Sequence, residues 1–329
     1  MSMSSTELVL PRPGTVLNTP IESIPAPSES AFTDTFGTLL PAAQFISTAY
    51  GKAAFYSLRP ISSTPDNGHG LPDRVVFVHG VQTPALGMLP LARTLQAAFP
   101  HSHCVLLDLW GHGLSETPIA PHEAALFHNL LDALLDQLRW PSAHFVSFSF
   151  GASMTAAYLA KRPERVDSMA LVAPAGFLQS LAFTEQQQAY LRGGEGVEDA
   201  ALAWIIEFLE GGELIVPADW RERVQRGEIV AEAVREWQMR VHKGHAASVV
   251  AMVRDGGVMD QQAEFVEAAK TGVRSLVVLG ELDDLCSERD LRKAGFENVF
   301  VVPQVGHAVV REKVPDVARL VGEFWKKLE

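Results

Sequence analysis

From about residue 74 to residue 173 the chain alternates short, continuously apolar runs with segments of helical spacing. Residues 74–79 read RVVFVH, a run of strand length without polar alternation, as expected for a strand covered on both faces. Residues 86–98 follow with helical periodicity, and the rhythm repeats: strand 104–109, helix 123–138, strand 144–148, helix 151–161, strand 168–173. Such βα repetition predicts an α/β fold with a mostly parallel, doubly wound sheet and helices on both faces. Ahead of it, residues 44–50 and 52–59, separated by Gly51, read as an antiparallel hairpin.

The rhythm stops after Pro174. Residues 178–269 offer only helical or irregular candidates, among them 197–210 and 229–242, before strands 275–279 and 299–302 and a last helix 315–328. A strandless insertion late in a parallel sheet predicts a helical cap at 178–269 on a core formed by 44–177 and 270–329. The Ser-, Thr- and Pro-rich residues 1–43 are expected to form an arm, flexible or draped over the surface.

Composition narrows the function classes. A formal charge of −12, with no basic stripe, argues against a nucleic-acid partner. The apolar stretches fall far short of the roughly 20 residues that span a membrane, so no span and a soluble protein are expected. The arm has neither a basic start nor an apolar run, and only Cys104 and Cys286 are present, one of them inside a strand-like run. Those features predict a reducing, cytoplasmic setting without a disulfide framework.

The segment 144–153, HFVSFSFGAS, runs a strand into a helix with Ser149 at the junction. A nucleophile on such a sharp turn needs small neighbours two residues away so that strand and helix can pass. Ser147 and Gly151 meet that need; with Ser147 as nucleophile, bulky Phe145 would occupy a position that must be small. The segment resembles the elbow of the α/β-hydrolase family, usually Gly-x-Ser-x-Gly, with Ser147 in place of the first glycine. Further segments resemble the family in the same chain order: Val78-His79-Gly80-Val81 after the first parallel strand, Asp108-Leu109-Trp110-Gly111-His112-Gly113-Leu114-Ser115, Gly280-Glu281-Leu282-Asp283, and Gly306-His307.

The resemblance implies Ser149 as nucleophile, His307 as base and Asp283 as the acid that orients it, with Asp284 the nearest rival. It also implies an oxyanion hole from the amides of Val81 and Phe150. The chemistry is coherent, because a neutral serine needs an imidazole to take its proton and a carboxylate to fix that imidazole's tautomer.

Other signals lead elsewhere or nowhere. The glycines near Asp108 lack the third glycine of a dinucleotide loop, Glu116 standing there, so no cofactor is expected. His101, His103 and Cys104, the pair His242 and His245, and His122 with His128 lack a full ligand set or the right spacing, so no metal is expected and surface positions are assigned to most of them. In the cap, Trp204 and Trp237 are candidates to line a substrate pocket, as is Met88 near the oxyanion loop. The expected activity is hydrolysis of a small, largely apolar carboxylic ester through an acyl-enzyme. Carbon–carbon bond hydrolysis of a diketone-type substrate, acyl transfer, and a non-catalytic ligand-binding role are the alternatives; a small acyl molecule is the expected partner, with a homodimer left open.

Overall fold

The computed structural model describes residues 8–15, 21–62 and 72–328. Within them eight strands form one sheet: β1 (Gln44–Thr48), β2 (Gly51–Leu58), β3 (Arg74–Val78), β4 (His103–Leu107), β5 (Ala143–Phe148), β6 (Val166–Val172), β7 (Ser275–Gly280) and β8 (Val299–Val302). Their order is β1-β2-β4-β3-β5-β6-β7-β8. β1 and β2 form the expected hairpin, β2 meets β4 antiparallel, and β4 through β8 run parallel.

The apolar runs behave as central strands should. Val75 to Val78, Cys104 to Leu107 and Ala143 to Val146 are buried, which needs a helical layer on each face. One layer contains Ala124–Leu138, Phe150–Lys161 and Gln262–Lys270; the other contains Leu89–Ala98 and Val314–Trp325. In the second layer Trp325 meets Phe99 edge to face at 5.2 Å.

Between β6 and β7 the described residues contain helices and no strand: Glu185–Arg192, Glu198–Glu210, Trp220–Gln225, Ala231–Val241, His245–Asp255 and Gln262–Lys270. The last of these packs on Phe150–Lys161 and belongs to a sheet layer, although the sequence reading placed it in the cap. The reason is topological: two adjacent parallel strands need a crossover helix against the sheet, and Gln262–Lys270 supplies it between β6 and β7.

The expected arm is more structured than its composition suggests. Residues 1–7 and 16–20 lie outside the described residues, but Ile24 bridges to Thr117 and a helix spans Glu29–Phe36, capped by Ser28 Oγ, which accepts from the Ala31 amide at 3.2 Å. Phe32 and Phe36, four residues apart on one face, are buried against Trp237 and Trp220 of the insertion.

Candidate active site

Ser149 directly follows β5, with φ 55° and ψ −120°, a region that a residue with a side chain enters only when its surroundings force it. Its amide donates to the Val172 carbonyl of β6 at 3.0 Å, and its own carbonyl accepts from Ala152 and Ala175. The turn depends on bare backbone nearby. A Cβ on Gly151 would lie 2.4 Å from the His79 carbonyl oxygen, and one on Gly80 would lie 2.7 Å from the Ser149 Cβ. Ser147 points the other way, where its Oγ meets Thr155 Oγ1 of the following helix at 2.8 Å in a buried contact. A serine is therefore accommodated where the resembled elbow has glycine, because a hydroxyl partner awaits it.

His307 follows β8 and Asp283 follows β7, so parallel strands bring both to the edge where Ser149 sits. His307 Nε2 lies 2.8 Å from Ser149 Oγ, and Nδ1 lies 3.0 Å from Asp283 Oδ2. The Asp283 side chain is fully buried, and its other oxygen accepts from the Leu285 amide at 3.1 Å. Its rival Asp284 is exposed and lines the cavity instead. The segments carrying the pair are fitted by glycine as well: a Cβ on Gly280 would lie 2.3 Å from the Gly306 carbonyl oxygen.

The loop after β3 is held by buried histidines. The Leu109 amide donates to His79 Nε2 at 2.9 Å and His79 Nδ1 is 2.6 Å from the Gly80 carbonyl, an arrangement that suits a neutral ring. Burial lowers the His79 pKa to about 4. Gln82, at φ 68°, donates its amide to His112 Nε2 at 3.0 Å and accepts at its carbonyl from Gln238 of helix Ala231–Val241. The Val81 amide meets no acceptor among the described residues. Phe150 begins its helix, so its amide has no intrahelical acceptor, while its ring turns into the core 5.2 Å from Phe127. Asp108 accepts from Tyr56 Oη and from the amides of Ala85 and Leu114; burial nevertheless lifts its pKa to about 6.

A cavity of about 220 Å³ opens on Ser149 and His307. Its apolar lining includes Phe148, Leu178, Phe208 and Leu209, and its charged lining includes Glu210, Arg235, Arg311 and Asp284. Trp204, Trp237 and Met88, expected here, line none of it. Trp237 is buried under Phe32 and Phe36, Trp204 stacks on Phe208 at 5.7 Å and packs against Phe183, and Met88 is buried with the helix layer under β3. Helical spacing marks an apolar face but not the neighbour that covers it, so Phe208 rather than Trp204 turned inward. The histidines set aside as surface residues are corrected too: His122, His128, His242 and His245 are buried. Among the described residues no group of three or more His, Cys, Asp or Glu side chains is placed to hold a metal ion, and no helix is long and apolar enough to cross a membrane.

Comparison with known proteins adds the family. A model of the alpha/beta hydrolase fold matches residues 69–313. The dihydrolipoyllysine-residue acetyltransferase component of an acetoin cleaving system from Pseudomonas putida is 24% identical over 227 residues, which are 68% of this chain and 56% of that protein. The chain thus spans little more than half of that relative. The enol-lactonase from Burkholderia xenovorans superposes with a TM-score of 0.59 at 19% identity, over 84% of this chain and 97% of the other. A thermophilic esterase from Thermogutta terrifontis gives 0.60 at 16% identity, over 87% and 99%. At such identities the likeness to these two structures is one of fold.

Proposed function

We propose, because this chain belongs to the α/β-hydrolase family, that it hydrolyses small carboxylic esters through an acyl-enzyme on Ser149. The observation that carries the reading is His307, bridging Ser149 Oγ and the buried Asp283 carboxylate at 2.8 and 3.0 Å. Ser149 Oγ attacks the ester carbonyl while His307 Nε2 takes its proton, and Asp283 steadies the imidazolium that forms. The amides of Val81 and Phe150 receive the oxyanion. His307 then gives the proton to the departing alkoxide. In the second half-reaction it takes a proton from water, whose oxygen attacks the acyl carbon; the bond to Oγ then breaks, the carboxylic acid leaves, and His307 returns the proton to Ser149 Oγ. The cavity, at about 220 Å³ with Phe148, Leu178, Phe208 and Leu209 in its lining, suits a short acyl chain.

The test is labelling with a fluorophosphonate, with the adduct located by mass spectrometry, beside turnover of esters of graded acyl length. An adduct on Ser149, and loss of turnover in Ser149→Ala while Ser147→Ala stays active, is the expected result. Folded protein that neither labels nor turns over any ester would overturn the reading in favour of a binding role.

A second reading, acyl transfer, is favoured by the acetyltransferase name of the curated relative. It uses the same acyl-enzyme and replaces water by another acceptor. Partitioning of a single ester between hydrolysis and transfer, as added thiol or alcohol is raised, separates the two.

A further inference from the structure

The cavity beside Ser149 is lined by apolar side chains, and the same lining includes two guanidinium groups and one buried carboxylate: Arg235, Arg311 and Glu210. Two of the three answer each other. Arg235 Nη1 donates to Glu210 Oε2, and Arg235 Nη2 lies 3.3 Å from Glu232 Oε1. Arg311 is left over. It makes no ion pair and no side-chain hydrogen bond among the described residues, and its guanidinium carbon lies 5.6 Å from the centre of the Phe148 ring. The His307 imidazole is 5.1 Å from the same ring. The cation and the base therefore share Phe148 as a neighbour.

Burial, followed by repulsion from Arg235, lowers its pKa to about 10, so it remains charged at neutral pH, with Glu232, Glu312 and Glu210 acting in its favour through space rather than by contact. Glu210 is buried and already committed to Arg235, and Asp284 lies exposed at the cavity rim. A planar guanidinium with free donors suits a carboxylate bound through two parallel hydrogen bonds. A cavity with apolar lining alone would suit a plain alkyl ester; this one also carries a guanidinium whose donors no group among the described residues has taken.

We propose that Arg311 is a specificity-determining residue that binds a carboxylate of the substrate, so that the preferred substrates are short carboxylate-bearing esters with the scissile ester at Ser149 and a free carboxylate a few bonds away. The inference rests on the hydrolase reading above and deepens it by naming the substrate class. The carboxylate belongs to the acyl part or to the alcohol part, and the probes distinguish these.

The experiment compares kcat/KM within two pairs matched in shape. Monomethyl glutarate against methyl 5-methylhexanoate places the carboxylate on the acyl side; 4-acetoxybutanoate against 4-methylpentyl acetate places it on the alcohol side. The wild-type chain is expected to favour the carboxylate member of at least one pair by about 10- to 100-fold, the range of a charged hydrogen-bonded contact. In Arg311→Gln that ratio should fall to one or below, because a carboxylate then enters the cavity without a partner, and Arg311→Lys should restore part of it. Preference for the neutral member of both pairs, in a chain that hydrolyses them, overturns the role of Arg311 and leaves the hydrolase reading standing. If no ester is turned over and no fluorophosphonate adduct forms, the hydrolase reading fails, and glutarate decides the anion site alone. A rise in Tm with glutarate that is lost in Arg311→Gln supports the site; no rise in the wild-type chain overturns it.

Discussion

Gln238 and Gln82 join the helical insertion to the loop after β3: Gln238 Nε2 donates to the Gln82 carbonyl at 2.5 Å. The other end of the same amide accepts from the Gly113 amide at 2.7 Å, and Gln238 is completely buried. With His112 holding the Gln82 amide, the residue next to Val81 is fixed through both its donor and its acceptor. The insertion thus reaches into the backbone proposed to receive the oxyanion.

Gln238→Ala should therefore lower kcat for a minimal acetyl ester by about 10- to 100-fold while changing KM little, since a misplaced oxyanion donor is felt in the transition state. The rate of fluorophosphonate labelling should fall in parallel. An unchanged kcat in a folded variant would uncouple the insertion from the loop.

Asp283→Asn should cost about 10⁴-fold in kcat, because the amide no longer favours the tautomer that leaves Nε2 free to accept from Ser149. Asp284→Asn should cost far less, since Asp284 is exposed at the cavity rim and Asp283 is the one within 3.0 Å of His307. Steady-state rates of both variants against one ester decide the ranking, and the reverse order would move the acid by one residue.

The buried histidines make the fold sensitive to acid. An unfolded chain protonates its histidines near pH 6.5, whereas burial holds the folded pKa of His79 and His122 at about 4 and that of His245 at about 3. These folded values are depressed, so the unfolded chain binds the extra protons between pH 6.5 and about 4, and stability is lost as pH falls through that window. Asp108 works the other way below its raised pKa of about 6 and offsets part of the loss. From pH 7.5 to 5.5 these three rings, less the Asp108 offset, should contribute a loss of about 3 kcal/mol, at roughly 1.4 kcal/mol per group and pH unit, and His112 and His128, also depressed by burial, add to it. Urea unfolding at the two pH values measures it; equal midpoints would mean that these rings are not held neutral.

Trp237→Ala should lower Tm rather than alter substrate ranking, because its ring packs edge-on against Phe32 at 5.6 Å and Phe36 at 5.8 Å. Truncating a buried Trp costs about 3–5 kcal/mol. Phe208→Ala, in the cavity wall, should instead shift the preferred acyl length. Thermal unfolding and an acyl-length series on both variants check this, and a Trp237→Ala variant of normal Tm with altered ranking would reverse the assignment.

The central strands were legible because burial on both faces leaves an unbroken apolar run, and Val299–Val302 coincides with the expected strand. The Ser149, Asp283 and His307 juxtaposition was legible from the resemblance of their segments to the family's, and parallel strands explain why their ends meet at one edge. Arg311 was not. It lies four residues beyond His307 in a four-residue helix, where a charged side chain ordinarily reads as solvated. The Arg235 pairing with Glu210 spans two helices 25 residues apart and leaves no local pattern. Helix Glu29–Phe36 was hidden by its Ser- and Pro-rich flanks, and its apolar stripe gains meaning only when Trp237 is there to cover it.

That early segment has a consequence for how molecules come and go. Leu10 is buried with Ala247 and Ala251, Arg12 binds Asp255 and the Arg192 carbonyl, and helix Glu29–Phe36 is wedged on Trp237. The chain is strapped across its own roof at three places before the sheet begins. Swinging that roof upward as a rigid flap would tear all three straps, so exchange with solvent should rely on movements smaller than lifting the whole insertion. Admission should then depend on girth, a slender molecule entering more readily than a broad one whose reactive end fits equally well.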